Sequence, residues 1–397
     1  MSEGPTVVIV GAGIAGLALA LALAERGIAS HLLERATRLE EVGAGLQLSP
    51  NATRVLAGLG LGPGLDAVGV RPAAIAIRDA AAGREIVRLP LGPAFEAAHG
   101  APYVVVHRGD LQALLLDAVA RRPEITLSLG AVVDRVEDGA DAVAVEATIA
   151  GARRRLVADV LVGADGVWSR VRGDVLRAGG AVYSGRTAWR ATLPVEALPA
   201  GGDFGSVTGL WLGAKAHLVH YPIRAGRAFN IVAAVDDTWA DERWNVVGDR
   251  DDLIRHFADW PADVRRLLEL PETWRKWALC AAPPTAPWVR GRIALIGDAQ
   301  HGMLPFVAQG GAMAIEDAAV LARRLADTGA PVADRLAAYA DDRRRRVADV
   351  VATARRNATV YHLAGLPALA RNAAMRLMGP KRLLGGMEWI YGWRDAA

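Results

Sequence analysis

The sequence predicts an α/β protein: a dinucleotide-binding domain on a parallel sheet, discontinuous in the chain, with an inserted β-sheet domain and helices at the C-terminal end. Three observations lead there. A buried apolar strand runs into the glycine pattern Gly11-Ala12-Gly13-Ile14-Ala15-Gly16 and on into an apolar helix. Two further apolar strands, far apart in the chain, end in the acidic turns Asp165-Gly166 and Gly297-Asp298. Between those turns, from roughly residue 180 to 280, the chain becomes Trp-rich and alternates with period two, as in Ala216 to Tyr221 and Phe229 to Val235.

The first unit reads as a strand from Thr6 to Val10, a helix to about Arg26 and a second strand from Ser30 to Leu33, with Glu34 at its end. In a Rossmann-type turn, Gly11 permits the tight bend, Gly13 lets a pyrophosphate approach and Gly16 allows close helix packing. The helix N-terminus then faces the phosphates, and a carboxylate at Glu34 can hydrogen-bond a ribose hydroxyl. Tyr103 to His107 reads as another strand, followed by a helix capped by Asp110 with Leu111, Leu114, Leu115, Ala118 and Val119 turned inward, which leaves Arg108 at the junction. Short β-rich runs between about 126 and 164 suggest a small antiparallel insertion that returns to the main sheet. Arg292 to Ile296 is a buried strand, Gly310 to Ala326 a helix, and the chain beyond about 333 is helical to an aromatic end at Trp389, Tyr391 and Trp393. The expected division is a dinucleotide domain at 1–70, 101–180 and 281–345, a substrate domain at 71–100 and 181–280, and C-terminal helices at 346–397.

Composition excludes several classes. With 397 residues, 52% of them apolar, the chain can bury two cores. A net charge of +3 from 46 basic and 43 acidic residues gives no field for nucleic acid. The run Arg343 to Arg346 follows Asp341 and Asp342 and reads as a solvated helix face. A single cysteine, Cys280, cannot form an internal disulfide, and without a signal peptide this points to the cytoplasm. Val7 to Ala24 has the length of a membrane span, but its glycines and the preceding Glu3 favour a strand and a buried helix, so no membrane is expected. No metal is expected, and either a monomer or a homodimer fits the Trp-rich end.

The glycine pattern, Asp165-Gly166 with Ser169 and Arg172, and Gly297-Asp298, in this order, resemble the single-component flavoprotein aromatic hydroxylases, the family of 4-hydroxybenzoate and salicylate hydroxylases. The resemblance spans essentially the whole chain. It implies bound FAD, with Asp165 serving FAD and the nicotinamide coenzyme, Asp298 on the ribityl chain and Arg108 near the flavin. It implies further that Gly11, Gly13, Ala15, Gly16, Glu34, Arg35, Gln47, Val133, Gly311 and Ala312 contribute to the cofactor site. The segment from Gly297 to Gly311 would line the flavin edge, its helix dipole stabilising charge on the reduced ring.

In such enzymes NADH or NADPH reduces the flavin, and O2 forms a C4a-hydroperoxide that hydroxylates an electron-rich ring. A phenolate reacts far better than a phenol, so the site needs a base in a pocket that excludes water. On a strand, His217, Val219 and Tyr221 share one face while Leu218 and His220 point the other way. His217 and Tyr221 resemble the active-site pair of 3-hydroxybenzoate 6-hydroxylases and 6-hydroxynicotinate 3-monooxygenases, which implies His217 as base and Tyr221 as orienting donor. Gln309 matches a glutamine beside the substrate in the 3-hydroxybenzoate enzymes. Gln47 stands where the hydroxynicotinate enzymes carry histidine, which argues against that reaction. His220 and His301 read as packing or loop histidines, and Arg190 and Arg224 as candidate partners for a substrate carboxylate. The expected reaction is hydroxylation of a small hydroxyaromatic or heteroaromatic acid. The rivals are an FAD oxidoreductase without oxygen insertion and a non-catalytic FAD-binding sensor.

Overall fold

The computed structural model describes residues 5–39, 45–199, 204–239, 243–283 and 286–396. Apolar β-rich runs without polar alternation require cover on both faces, and the chain supplies it. Strand Val7–Val10 lies at the centre of a six-stranded sheet, parallel to Ser30–Glu34 on one side and to Val160–Gly163 on the other. Ile125–Leu129 and Ile293–Leu295 extend it in parallel, and Val289–Arg290 adds an antiparallel edge. Helix Ile14–Ala24 is buried almost all round and packs against helix Gly310–Ala326. Strands Ala131–Asp138, Val143–Ile149 and Ala152–Ala158 form the small antiparallel sheet.

A second, eight-stranded sheet takes strands Ala74–Asp79 and Arg84–Pro90 from early in the chain and its other six from Val182–Pro194 to Trp274–Ala281. Strand Ala216–Ile223 sits inside it, paired with Thr208–Gly213 and Ala228–Asp236. One face of this strand, with Tyr221 and Ile223, packs into the core of the first domain, and the other, with Ala216 and Leu218, belongs to a separate core with Trp189, Phe229 and Trp274.

Helix Val332–Tyr361 buries one stripe, from Leu336, Tyr339 and Ala340 through Arg343, Val347, Val350 and Ala354 to Ala358. Helix Gly365–Gly385 is broken at Gly379, whose φ of +66° precedes Pro380. Arg54 pins the chain end by donating to the carbonyls of Trp393 and His99. No helix among the described residues is long and apolar enough to cross a membrane.

Two expectations are corrected. Asp110 is not a cap: the helix begins at Arg108, and Asp110 lies in its first turn, where a carboxylate favours the exposed amides. The Arg343 to Arg346 run is not a solvated face. Arg343 is 1% exposed and donates to Asp317 Oδ1 at 2.7 Å and Glu316 Oε2 at 2.6 Å, while Arg346 grips the same Glu316 with two donors at 2.7 Å. Both carboxylates are fully buried, and only Arg344 and Arg345 keep to the solvent side.

Candidate active site

The nucleotide end is shaped by glycines that admit no side chain. At Gly11, φ is +106°, and a Cβ would stand 2.6 Å from the Ala164 carbonyl oxygen; at Gly16 it would stand 2.0 Å from the Gly11 oxygen. Gly13 differs, since a Cβ there would meet nothing within 4 Å. It begins helix Ile14–Ala24 without a side-chain cap, so the first amides stay open to an anion. Glu34 holds this turn: Oε2 accepts from Ala12 N and Oε1 from Ala36 N, both at 2.9 Å. Around it runs a cleft of about 620 Å³ that gathers Gly11, Gly13, Glu34, Arg35, Arg108, Val133, Asp165 and Asp298.

The rim is tied down from beneath. The Asp165 carboxylate accepts from the backbone N–H groups of Arg170 at 2.7 Å and Val171 at 3.1 Å, and from the Ser169 hydroxyl, so it braces its own loop. Arg172, fully buried, donates to Ala299 O and Val167 O at 2.6 Å and thereby joins that loop to the turn carrying Asp298. Asp298 itself is exposed to the cleft. Asp317 accepts from Gly297 N at 2.8 Å and from His301 at 2.6 Å, which makes His301 a structural residue. Ala15 lies outside the cleft lining. Its methyl would be 3.1 Å from a Cβ on Gly297, so two small residues let the helices and the turn converge. Gly311 and Ala312 open helix Gly310–Ala326, whose N-terminus also lacks a side-chain cap; a Cβ on Gly311 would meet nothing within 4 Å, and Ala312 is buried.

On the second sheet, residues that pair across strands share a face. One row joins His217, Ala234 and Ala188, the next Val219, Val232 and Arg190, and a third Tyr221, Asn230 and Thr192. His217 is 3% exposed, packed against Phe306 at 5.0 Å and Tyr361 at 5.5 Å between ring centroids. Burial, followed by His362 and Arg186, holds its imidazolium well below the ordinary histidine range. Burial raises the Tyr221 phenol, so it stays protonated and can donate. Strand Gly45–Leu48 can cross this ring because Gly45 has no side chain: a Cβ there would fall 2.3 Å from Tyr221 Cε2. Arg190 stacks on Trp277 at 4.8 Å, and neither its buried Nε nor the buried Asn230 Nδ2 has an acceptor among the described residues.

Other predicted residues fall elsewhere. Gln309 Nε2 donates to Ser49 Oγ at 2.8 Å and its Oε1 accepts from Asn51 Nδ2 at 3.0 Å, inside the buried network that ends on Glu316. Gln47 Oε1 accepts from the Tyr103 hydroxyl at 2.7 Å. Arg224 occupies a hairpin turn at φ +55°. His220 accepts from Trp211 Nε1 at 3.2 Å on the opposite face, a packing histidine. Sequence reading missed His362 and Asp236, which contact His217 in series from distant segments; no motif or spacing marks them.

Residues 5–354 match the family model described as FAD binding domain. The chain is 34% identical to the 3-hydroxybenzoate 6-hydroxylase of Polaromonas naphthalenivorans (strain CJ2), across 99% of this chain and 98% of that one. The chain belongs to the FAD-dependent aromatic hydroxylases. This hydroxylase is also 37% identical to the 3-amino-4-hydroxybenzoate 2-monooxygenase of Streptomyces cremeus, across 97% of its own length and 94% of the other. Its fold superposes on that of salicylate hydroxylase in its substrate complex with a TM-score of 0.83 at 27% identity, covering 99% and 97% of the two chains.

FAD fits the residues present: the open Gly13, the uncapped N-terminus of helix Ile14–Ala24 and an exposed Asp298 line one cleft, and helix Gly310–Ala326, also uncapped, begins beside Asp298, where a Cβ on Gly310 would lie 3.8 Å from Asp298 Oδ1. A direct check is Gly13→Val. The empty space around that position predicts that the apoprotein folds and melts normally, while FAD affinity, read by fluorescence titration, falls on the order of tenfold or more because the side chain displaces the phosphates. Unchanged affinity would place the pyrophosphate elsewhere.

Proposed function

We propose that this hydroxylase inserts one oxygen atom into a small aromatic acid that carries a ring hydroxyl, a monohydroxybenzoate in the first instance, using NADH or NADPH and O2. The observation that carries the reading is the single sheet face bearing a buried imidazole, His217, a protonated phenol, Tyr221, and a cation, Arg190, whose Nε has no acceptor among the described residues. Relatives named for 3-hydroxybenzoate and 3-amino-4-hydroxybenzoate support a benzoate. Gly11, Gly13, Glu34, Arg35, Arg108, Val133, Asp165 and Asp298 would hold FAD around the cleft, with Ala15 and Gly16 setting the approach of the first helix and Gln47, Gly311 and Ala312 at the flavin end. Bound FAD, reduced by the nicotinamide coenzyme, supplies the electrophilic oxygen from O2.

The protein's own part is to prepare the ring. Arg190 neutralises the carboxylate and fixes the long axis of the substrate. Tyr221 donates a hydrogen bond that orients it. His217 takes the hydroxyl proton, raising electron density at the ortho and para carbons, while Phe306, Leu304 and Tyr361 keep water from the imidazole.

The test is oxidation of NADH and NADPH by the FAD-loaded protein with 3-hydroxybenzoate, 4-hydroxybenzoate, salicylate, 6-hydroxynicotinate and plain benzoate, quantifying product and peroxide under labelled O2. One hydroxybenzoate should stimulate oxidation and take up one labelled atom, and benzoate should yield no hydroxylated product. Peroxide alone from every compound would refute the hydroxybenzoate reading.

A further inference from the structure

His217 belongs to strand Ala216–Ile223, His362 directly follows helix Val332–Tyr361, and Asp236 ends strand Ala228–Asp236. His217 Nδ1 lies 2.9 Å from His362 Nε2, and His362 Nδ1 lies 2.9 Å from Asp236 Oδ1. The Asp236 side chain is 38% exposed and also forms an ion pair with the Arg186 guanidinium, at 2.8 Å between Oδ1 and Nε. The helix end that presents His362 is held by Arg371, which donates to the carbonyls of Val360 at 2.8 Å and Tyr361 at 3.1 Å.

One proton assignment satisfies both contacts with neutral rings. An ionised carboxylate only accepts, so the His362 proton facing Asp236 sits on Nδ1. A neutral imidazole carries one N–H, so His362 Nε2 is bare and must accept. His217 Nδ1 is then the donor, and the bare nitrogen of His217 is Nε2.

We propose that Asp236 and His362 are positioning residues that act in series to set the tautomer of His217, keeping its Nε2 lone pair available for the substrate hydroxyl. This rests on the reading of His217 as the base. When the substrate O–H bond breaks, an N–H bond forms at His217 Nε2. The Nδ1–H stays directed at His362 Nε2, and the positive charge gained by the pair faces the Asp236 carboxylate. No other group is oxidised, reduced or transferred. The charged and titratable groups around the two rings are Asp236, Arg186 from strand Val182–Pro194, and the phenol of Tyr361.

Two measurements on the FAD-loaded protein test this. In nitrogen-15 spectra of histidine-labelled protein, both His217 and His362 are expected as Nδ1–H tautomers, and Asp236→Ala is expected to convert His217 to a mixture; an Nε2–H tautomer for His217 in the unmodified protein overturns the proposal without any activity assay. In kinetics with the hydroxybenzoate that the substrate panel selects, His362→Asn and Asp236→Ala should lower kcat on the order of tenfold or more with KM within about twofold. The acid limb of the pH profile should move to lower pH in Asp236→Ala, because the Asp236 charge raises the His362 pKa, and Asp236→Glu should recover part of the rate. A merely structural contact would lower FAD content or melting temperature and leave the acid limb in place. Wild-type rate and pH profile in both variants, with His217→Ala inactive, would overturn the series while sparing His217 as base. Full activity in His217→Ala would remove the base assignment and this proposal with it.

Discussion

Replacing His217 with alanine is expected to leave FAD bound and to cut hydroxylation by a hundredfold or more. The residue lies on the second sheet, in the row with Ala234 and Ala188, and contributes nothing to the glycine turn, Glu34 or Asp298. Its loss therefore removes a ring from a packed aromatic cluster and, on the proposed reading, the base, and leaves the lining of the nucleotide cleft intact. NAD(P)H oxidation should continue in part and end in hydrogen peroxide, because without deprotonation the bound ring remains a poor nucleophile. The pH dependence follows from burial. An imidazole whose pKa is held well below 6.5 is neutral, and so a competent base, both at neutrality and for some distance below it. Wild-type hydroxylation should thus persist at pH values where an exposed histidine would already be protonated. Stopped turnover with loss of bound FAD would indicate a collapsed structure instead, so flavin absorbance is recorded alongside product. Retained coupled turnover would show that another group takes the proton.

The second large effect concerns stability. Arg343→Met is expected to destabilise the protein by about 3–5 kcal/mol, the usual consequence of stripping one partner from a buried ion pair. Arg343 satisfies Asp317 and Glu316 at 2.7 and 2.6 Å with all three side chains out of water. Burial alone would lower the Arg343 pKa, but those two carboxylates raise it above its usual value, so it remains a cation. Asp317 shows the reciprocal balance: burial pushes it up, while His301 and Arg343 more than offset this and bring it to about 2. A carboxyl depressed in the folded state contributes stability that is complete above its unfolded value near 4 and is lost as pH falls through about 2. Acid unfolding of the wild type should accordingly show a component in that window, and Arg343→Met should move it to higher pH. Because Asp317 also receives Gly297 N and His301, the same substitution should loosen the turn that carries Asp298 and weaken FAD. Thermal melting with flavin release checks both; unchanged melting would mean that Arg346 and His301 suffice for the two carboxylates.

How far the sequence reaches depends on whether the residues of a feature are contiguous. Gly11, Gly13 and Gly16 were legible because a tight turn and a helix N-terminus are built from neighbours, and backbone geometry alone demands glycine at two of those positions. The alternation of His217, Val219 and Tyr221 foretold a shared face because strand geometry fixes it whatever the surroundings. Helix Gly310–Ala326 was likewise written in its own periodicity. By itself, then, the sequence determined the parallel α/β core, the dinucleotide turn, the cofactor class through its three motifs, and the face that His217 shares with Val219 and Tyr221.

What tertiary structure decided was the partners of polar groups. Arg343 to Arg346 reads as a solvated run since charge normally seeks water, yet two of its four members are drawn in by Glu316 and Asp317 on another helix. The partners of Gln309, Ser49 and Asn51, come from some 260 residues away in the chain and hold both ends of its amide. His362 and Asp236 carry no signature at all, and they meet His217 because a helix end and two adjacent strands converge there. Apolar burial is non-directional and scales with area, so composition and periodicity foretell it. A buried hydrogen bond or ion pair needs a particular atom within about 3 Å, and only the folded chain brings that atom from a distant segment.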